Sequence, residues 1–307
     1  MSDLQQDRRK FLASSAALTA AATTASLTTV SSAAEKSAAA AAHGLKKAVK
    51  IGMVNIKGTL LDKFKLLKEL GYDGVELNSP NNLNLKEVLN ARDKSGLPIH
   101  GVVDSVHWRQ TLSHPDPKVR AQGLAGLKTA LNDAKAYGAT SVLLVPGKVD
   151  KNVSYGDAYR RSQKEIRKAI PLAEKLNIKI LLENVWNNFL LSPVETARYI
   201  DELESKMIGA YFDVGNVVRY GWPEHWITEL GHRIGKLDIK EYSRKLQMSK
   251  GPWAGFRVKI GEGDCDWPAV MAALKKIGFK GWATAEVGGG GRERLKEIAD
   301  RMDRAFS

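Results

Sequence analysis

Glu183, Asp213, Asp238 and Glu286 each stand at the polar end of a short, otherwise apolar run: IKILLENV, IGAYFDVG, IGKLDIKE and WATAEV. Carboxylates are the side chains that hold hard divalent cations and that move protons to and from carbon. Brought close together without compensation, they repel by several kcal/mol at an intermediate dielectric. A divalent cation removes that repulsion, taking oxygen ligands at about 2.0–2.6 Å. An all-oxygen set suits Mn2+ or Mg2+, whereas Zn2+ prefers His and Cys; Co2+ and Zn2+ are left open. Any one of these acids could equally be a helix N-cap or half of a surface ion pair. The four together, in four consecutive units, carry the metal reading.

The elements that must position them alternate along the chain. From residue 49 onward there are eight β-branched runs, beginning VKIGMVNI at Val49, GVEL at Gly74, PIHGVVDS at Pro98 and TSVLLVP at Thr140, followed by the four named above. Near-continuous apolar runs of this length are expected for parallel strands buried on both faces. Between them, segments such as Pro117–Tyr137 and Gly156–Leu176 repeat apolar residues every three or four positions, the helical period. The pairs Gly71-Tyr72, Tyr137-Gly138, Leu176-Asn177 and Ile277-Gly278 read as left-handed helix caps. Eight β-then-α units without a glycine-rich phosphate loop predict an α/β fold, a single-domain (β/α)8 TIM barrel.

Chemistry in such barrels sits at the C-terminal ends of the strands. Asn55, Glu76, Asp104 with His107, and Pro146 with Lys148 join the four acids there. His107 is close enough to the third strand to reach the mouth as an acid or polar contact, and is equally well explained as a structural histidine. Lys148 is a candidate contact to substrate. Trp108, Trp186 and Trp253 fall in βα loops, where aromatic faces pack on sugar rings or simply on one another.

The first residues do not belong to the barrel. Arg8, Arg9, Lys10, Phe11 and Leu12 precede a weakly apolar Ala/Ser/Thr-rich stretch reaching Val30, and Ser32-Ala33-Ala34 offers small residues for cleavage. This pattern is that of a twin-arginine signal peptide over residues 1–34, with a linker at 35–48 and the barrel at 49–307. Its apolar stretch gains too little in hydrocarbon for a stable membrane anchor. The expected partner is the twin-arginine export machinery and the expected location periplasmic or otherwise exported. The chain carries a formal charge of +13, and removal of residues 1–34 leaves +12. Its Lys and Arg residues are spread over helical segments, so solvated helix faces explain the charge and no nucleic acid partner is expected. Cys265 is the one cysteine, which excludes an intramolecular disulfide. A homo-oligomer is left open.

Residues 49–303 resemble the xylose isomerase-like TIM barrel family, which includes sugar phosphate isomerases and epimerases and shares the fold of AP endonuclease family 2. Glu183 in LLENVWN matches the family's glutamate after the fifth strand, Asp213 in FDVGN its aspartate, and Glu286 in ATAEVGGG its last glutamate. The segment Asp238-Ile239-Lys240-Glu241-Tyr242-Ser243-Arg244 aligns with the family's H-x-K-D motif and the arginine six residues on. Asp238 stands where the family has a ligand histidine, and Asn216 where another is common. The segment from Ile260 to Val270, IGEGDCDWPAV, matches the loop before the seventh helix, with Asp266 capping that helix.

The resemblance implies that Glu183 and Glu286 act twice, as metal ligands and as proton-transfer groups on opposite faces of a substrate, with Asp213 and Asp238 completing the metal set. It implies that Arg244 holds a substrate oxygen and that Glu241 and Asn216 lie in the substrate site. The expected activity is a metal-dependent isomerase or epimerase forming an enediolate on a small unphosphorylated carbohydrate. The alternative is a lyase or dehydratase that expels a β-substituent from a keto-sugar or 3-keto-glycoside. A DNA-repair nuclease on the same barrel and a non-catalytic sugar-binding barrel are the remaining classes, disfavoured by the absence of a histidine-rich site and by the retained acids respectively.

Overall fold

A computed structural model describes residues 44–307, and the segment read as a twin-arginine signal, with most of the expected linker, lies outside the described residues. Eight parallel strands close into a barrel in sequence order: β1 Leu45–Lys50, β2 Gly74–Ser79, β3 Ile99–Asp104, β4 Ser141–Leu144, β5 Lys179–Glu183, β6 Ile208–Asp213, β7 Ile234–Ile239 and β8 Gly281–Ala285. The barrel shuts where β1 pairs with β8, from Leu45 opposite Gly281 to Val49 opposite Ala285. The eight expected strands are therefore all present, and the α/β barrel predicted from periodicity is the observed architecture.

The first strand begins four residues earlier than its apolar run suggests. Residues Ile51–Met53 form a turn of 3-10 helix, and Val54 bridges to Gly290. The lysines that conceal the strand in the sequence have specific partners: Lys47 Nζ lies 2.7 Å from Asp303 on the C-terminal helix, and Lys46 Nζ sits 5.3 Å over the ring of Trp282. Residues 45–48, read from sequence as the end of a linker, are part of the barrel.

Outside the strands lie α1 Leu60–Glu69, α2 Leu85–Ser95, α3 Pro117–Tyr137, α4 Tyr155–Arg167, α5 Ile170–Leu176, α6 Pro193–Asp201, α7 Val214–Val218, α8 Pro223–Leu230, α9 Arg244–Lys250, α10 Trp267–Lys276 and α11 Arg292–Phe306. The segment 156–176 is two helices rather than one. Pro171 lacks an amide proton and its ring would clash with the carbonyl of Arg167, so the first helix ends there. The expected left-handed caps are present, Gly138 at φ 80° and Asn177 at φ 55° among them. None of the described helices is long and apolar enough to cross a membrane.

Helix α3 sets the position of the loop after β3. A Cβ added to Gly126 would lie 2.3 Å from Val106 Cγ2, and one added to Gly123 would lie 2.1 Å from the carbonyl oxygen of Gln110. Only bare backbone lets the helix approach the 104–112 loop this closely. The barrel interior is partly polar. Tyr211 donates to Glu76 Oε1 at 3.1 Å and is 2.8 Å from Thr284 Oγ1, which lies 3.2 Å from His100 Nε2, and Lys236 Nζ is 3.1 Å from His100 Nδ1. All five side chains are buried, forming a hydrogen-bonded column beneath the acids at the rim.

Candidate metal centre and active site

The strand register brings the four acids together. Asp213 and Asp238 are direct partners across β6 and β7, Glu183 closes β5 opposite Tyr211 on β6, and Glu286 follows β8 with its amide bonded to Ile239 O at 3.1 Å. Reciprocal bonds of 2.8 Å between Asn184 and the backbone of Asp213 lock the ends of β5 and β6. Each of the four offers a carboxylate oxygen within 4.8 Å of the others. Glu183, Asp213 and Asp238 are buried, and Glu286 keeps partial exposure toward the barrel mouth.

Two ammonium groups share this space. Lys50, the last residue of β1, lies 3.0 Å from Asp238 Oδ2, 3.2 Å from Glu76 Oε2 and 3.8 Å from Glu286 Oε2. Lys240 Nζ lies 2.8 Å from Asp213 Oδ2 and 3.4 Å from Glu286 Oε2. Neither was among the residues expected at the site. The signal for Lys50 was present as a lysine inside an apolar run, but the shifted start of β1 moved the apparent strand end to Asn55. Lys240 carries the period-2 alternation of Lys236 and Asp238 one step further along β7, toward the rim.

Burial pushes the Glu183 carboxyl well up from its ordinary range, and repulsion from Glu286 adds to this. Asp238 is raised by burial against the pull of Lys50, and Asp213 by burial against the pull of Lys240. Glu286 goes the other way. Burial would raise it, but Lys50 and then Lys240 outweigh that and hold it at about 2.

The residues fit a divalent cation. Asp238 Oδ1 is buried with no partner, and the buried Asp213 Oδ2, Asp238 Oδ2 and Glu286 Oε2 meet only the two ammoniums. Buried carboxylate oxygens gathered within ligand distance of one another, one of them with no partner at all, are what a cation with oxygen ligands requires. Four carboxylates outnumber the two ammoniums, one of which Glu76 shares, so the cluster keeps a negative excess that a cation offsets.

Above the acids opens a cavity of about 430 Å3 lined by Trp108, Trp186, Asn216, Lys240, Trp253 and Phe256, with Glu183 and Glu286 exposed to it. Trp186 donates its indole N–H to Asn216 O at 2.9 Å and packs against Trp253 and Phe256 at centroid distances of 5.0 and 4.7 Å. Trp108 and Trp253 are 49% and 69% exposed, so their faces are available at the mouth. Asn216 belongs to the wall, its side chain bridging Asn184 O at 3.0 Å and Lys240 Nζ at 3.3 Å.

Four further candidates have different surroundings from those expected. Arg244 donates from Nε to Val218 O at 2.8 Å and from a terminal nitrogen to Gly221 O at 2.7 Å, and stacks on Trp222. It fastens the loop after α7 and does not line the cavity. Glu241 is buried and accepts from the amides of Gly261 and Cys265 and from the indole of Trp267 at 2.8, 3.1 and 2.9 Å. Its oxygens are taken up by the 260–267 loop and by the amide of Tyr242, and it does not line the cavity. Lys148 pairs with Asp150 at 3.4 Å on the surface and is likewise not in the wall. His107 is buried, with Nδ1 accepting from the amide of Val145 at 3.2 Å, which puts the proton of the neutral ring on Nε2. Burial, aided by Lys50, lowers it to about 3. It is a fixed neutral donor and not a titrating acid near neutral pH.

Comparison with known proteins agrees with this architecture. Residues 64–305 match the xylose isomerase-like TIM barrel family. Over 232 residues the chain is 24% identical to L-ribulose-5-phosphate 3-epimerase UlaE of Escherichia coli (strain K12), covering 72% of this chain and 79% of that one. A D-tagatose 3-epimerase-like protein superposes with a TM-score of 0.72 at 20% identity over 85% of this chain and 96% of its own. The IOLI protein, crystallised with a zinc atom, superposes with a TM-score of 0.71 at 17% identity over 85% and 98%. With eight units closed in order and the family match spanning all but the first of its strands, this chain belongs to the xylose isomerase-like TIM barrel family.

Proposed function

We propose that the protein is a divalent-metal-dependent isomerase or epimerase that moves a proton at the carbon beside the carbonyl of a small, unphosphorylated carbohydrate. The observation that carries this is the meeting of Glu183, Asp213, Asp238 and Glu286 on the floor of an aromatic-walled cavity. The names of the relatives, sugar epimerases among them, support the same reading. Mn2+ or Mg2+ suits the all-oxygen donor set. Such an ion, held by these four residues, would stabilise the negative charge that develops on the substrate's carbonyl oxygen.

The remaining work falls to the chain. Glu183 is the more basic of the two glutamates, because burial dominates there while Glu286 lies within 4 Å of both ammoniums. A substrate carbon between them loses its proton to one carboxylate and regains one from the other on the opposite face, which inverts the centre. Lys240, at the rim and charged, donates to a substrate oxygen. The indoles of Trp108, Trp186 and Trp253 cover the sugar's apolar faces and exclude water. Lys240, among the described residues the one Lys or Arg lining the cavity, already has two carboxylate partners, so its remaining donor suits a single hydroxyl or carbonyl oxygen better than a phosphate, which favours an unphosphorylated substrate.

A lyase reading shares the proton abstraction and adds departure of a β-substituent. The cavity volume, within the roughly 300–1,000 Å3 of sites that enclose drug-sized ligands, favours keeping it, because a glycoside would fill the space better than one ring. The leader, with Arg8 and Arg9, fits chemistry performed after export.

Solvent deuterium incorporation into ketoses and keto-glycosides, followed by NMR with and without EDTA, tests the proposal. Exchange that EDTA abolishes and Mn2+ restores is the expected result, and the products separate epimer from elimination. Absence of exchange under every dication tried rejects it.

A further inference from the structure

We propose that Lys50 is an internal counter-ion that biases this site toward divalent over trivalent cations, an inference that rests on reading the four acids as a cation site. Lys50 projects from the end of a barrel strand, not from a mobile loop, and its side chain is only 15% exposed. Its ammonium sits 5.4 Å over the ring of Tyr211, whose hydroxyl is itself tied to Glu76 and Thr284. From there it reaches Asp238 Oδ2 at 3.0 Å and Glu286 Oε2 at 3.8 Å, while Asp238 Oδ1 is left buried and unpartnered. Lys50 thereby takes one oxygen of Asp238 and leaves one for a cation.

The charge balance follows from the same contacts. Glu76, the other carboxylate near Lys50, accepts from its ammonium at 3.2 Å and belongs to the layer below, where the Tyr211 hydroxyl also donates to it. A Cβ on Gly101 would lie 2.6 Å from Glu76 Oε1 and 3.1 Å from Lys236 Nζ, so both groups converge over that bare backbone. Lys50, which is shared with Glu76, and Lys240 are the two ammoniums that partly offset the four carboxylates around the cation position. Removing Lys50 leaves one more unit of uncompensated negative charge beside that position, which favours an ion of higher charge more strongly. A residue whose task was only to hold Asp238 in place would leave the relative affinity for ions of different valence unchanged.

The test measures binding, not turnover. The full chain, stripped with a chelator, is titrated with Mn2+ by electron paramagnetic resonance and with Tb3+ by luminescence sensitised through Trp186, which lines the same cavity. The variants are Lys50→Met, which removes the charge, and Lys50→Arg, which keeps it. The ratio of Tb3+ to Mn2+ affinity is expected to rise by about tenfold or more in Lys50→Met, since one unit charge a few ångströms away acts more strongly on the ion of higher charge. Lys50→Arg is expected to keep the wild-type ratio. Should Lys50→Met fail to fold, Lys50→Gln, which still donates to Asp238, is expected to show the same rise. An unchanged ratio in the neutral variant, or an equal change in Lys50→Arg, overturns the counter-ion role alone. Wild-type protein that binds neither ion overturns the cation site as well.

Discussion

Lys240 and Glu286 lie 3.4 Å apart at the rim of the barrel, one at the end of the β7 run and the other just past β8, and the cavity exposes both. The ammonium is thus placed to donate to a bound oxygen and to keep the neighbouring carboxylate ionised. Replacing it by methionine is expected to lower kcat/KM about a hundredfold, the order of losing one donor to developing negative charge. Glu286 then rises from about 2, so the acid limb of the pH profile moves to higher pH. Lys240→Arg is expected to leave that limb near its original place, and steady-state kinetics across pH distinguish the two.

Glu183 and Glu286 should divide the proton transfers between them. With both epimers of a turned-over ketose in deuterated buffer, Glu183→Gln is expected to lose exchange from one epimer and Glu286→Gln from the other, each by about 10²–10⁴-fold. Equal loss from both epimers in both variants would indicate ligand roles without proton transfer. Circular dichroism checks that each variant retains the fold.

His107 makes a contribution to stability whose pH dependence has a definite sign. Its folded value is about 3, against an ordinary value near 6.5, owing to burial and then to Lys50. Between those values the unfolded chain binds a proton that the folded chain does not, so stability falls as pH drops from about 6.5 toward 3. Asp104, raised by burial to about 7, has the opposite sign over much of that window. The difference between wild type and His107→Gln, taken from urea unfolding at several pH values, isolates the histidine. Wild type should lose stability relative to the variant as pH falls.

Glu241 is expected to matter for stability before it matters for substrate. Truncation to alanine orphans the amides of Gly261 and Cys265 and the indole N–H of Trp267, all bonded to its carboxylate. At roughly 1–3 kcal/mol for a buried donor left unpaired, a loss of about 3 kcal/mol or more is expected in chemical denaturation. An Arg244→Ala change, which frees Val218 O and Gly221 O at a partly exposed loop, should cost less.

The barrel was legible in the sequence because parallel strands and amphipathic helices write themselves as local periodicities of two physical kinds. Where reading failed, a nonlocal partner was responsible. Lys46 and Lys47 hid the start of β1 because Trp282 and Asp303, more than two hundred residues away, are what make lysines tolerable there. Arg244 and Glu241 have residue types suited to substrate, yet their hydrogen bonds go to backbone that the sequence does not place beside them. Asp213, Asp238, Glu183 and Glu286 were found because each terminates a strand, and strand ends of a closed barrel share one rim.

By itself, then, the sequence determined the order of strands and helices and which acids would face the mouth, since both follow from spacing along the chain. Only the tertiary structure decided which charges meet there. Lys50 and Lys240 reach the acids from strands whose neighbours are set by barrel closure, and Coulomb energy depends on distances through space that no one-dimensional pattern contains.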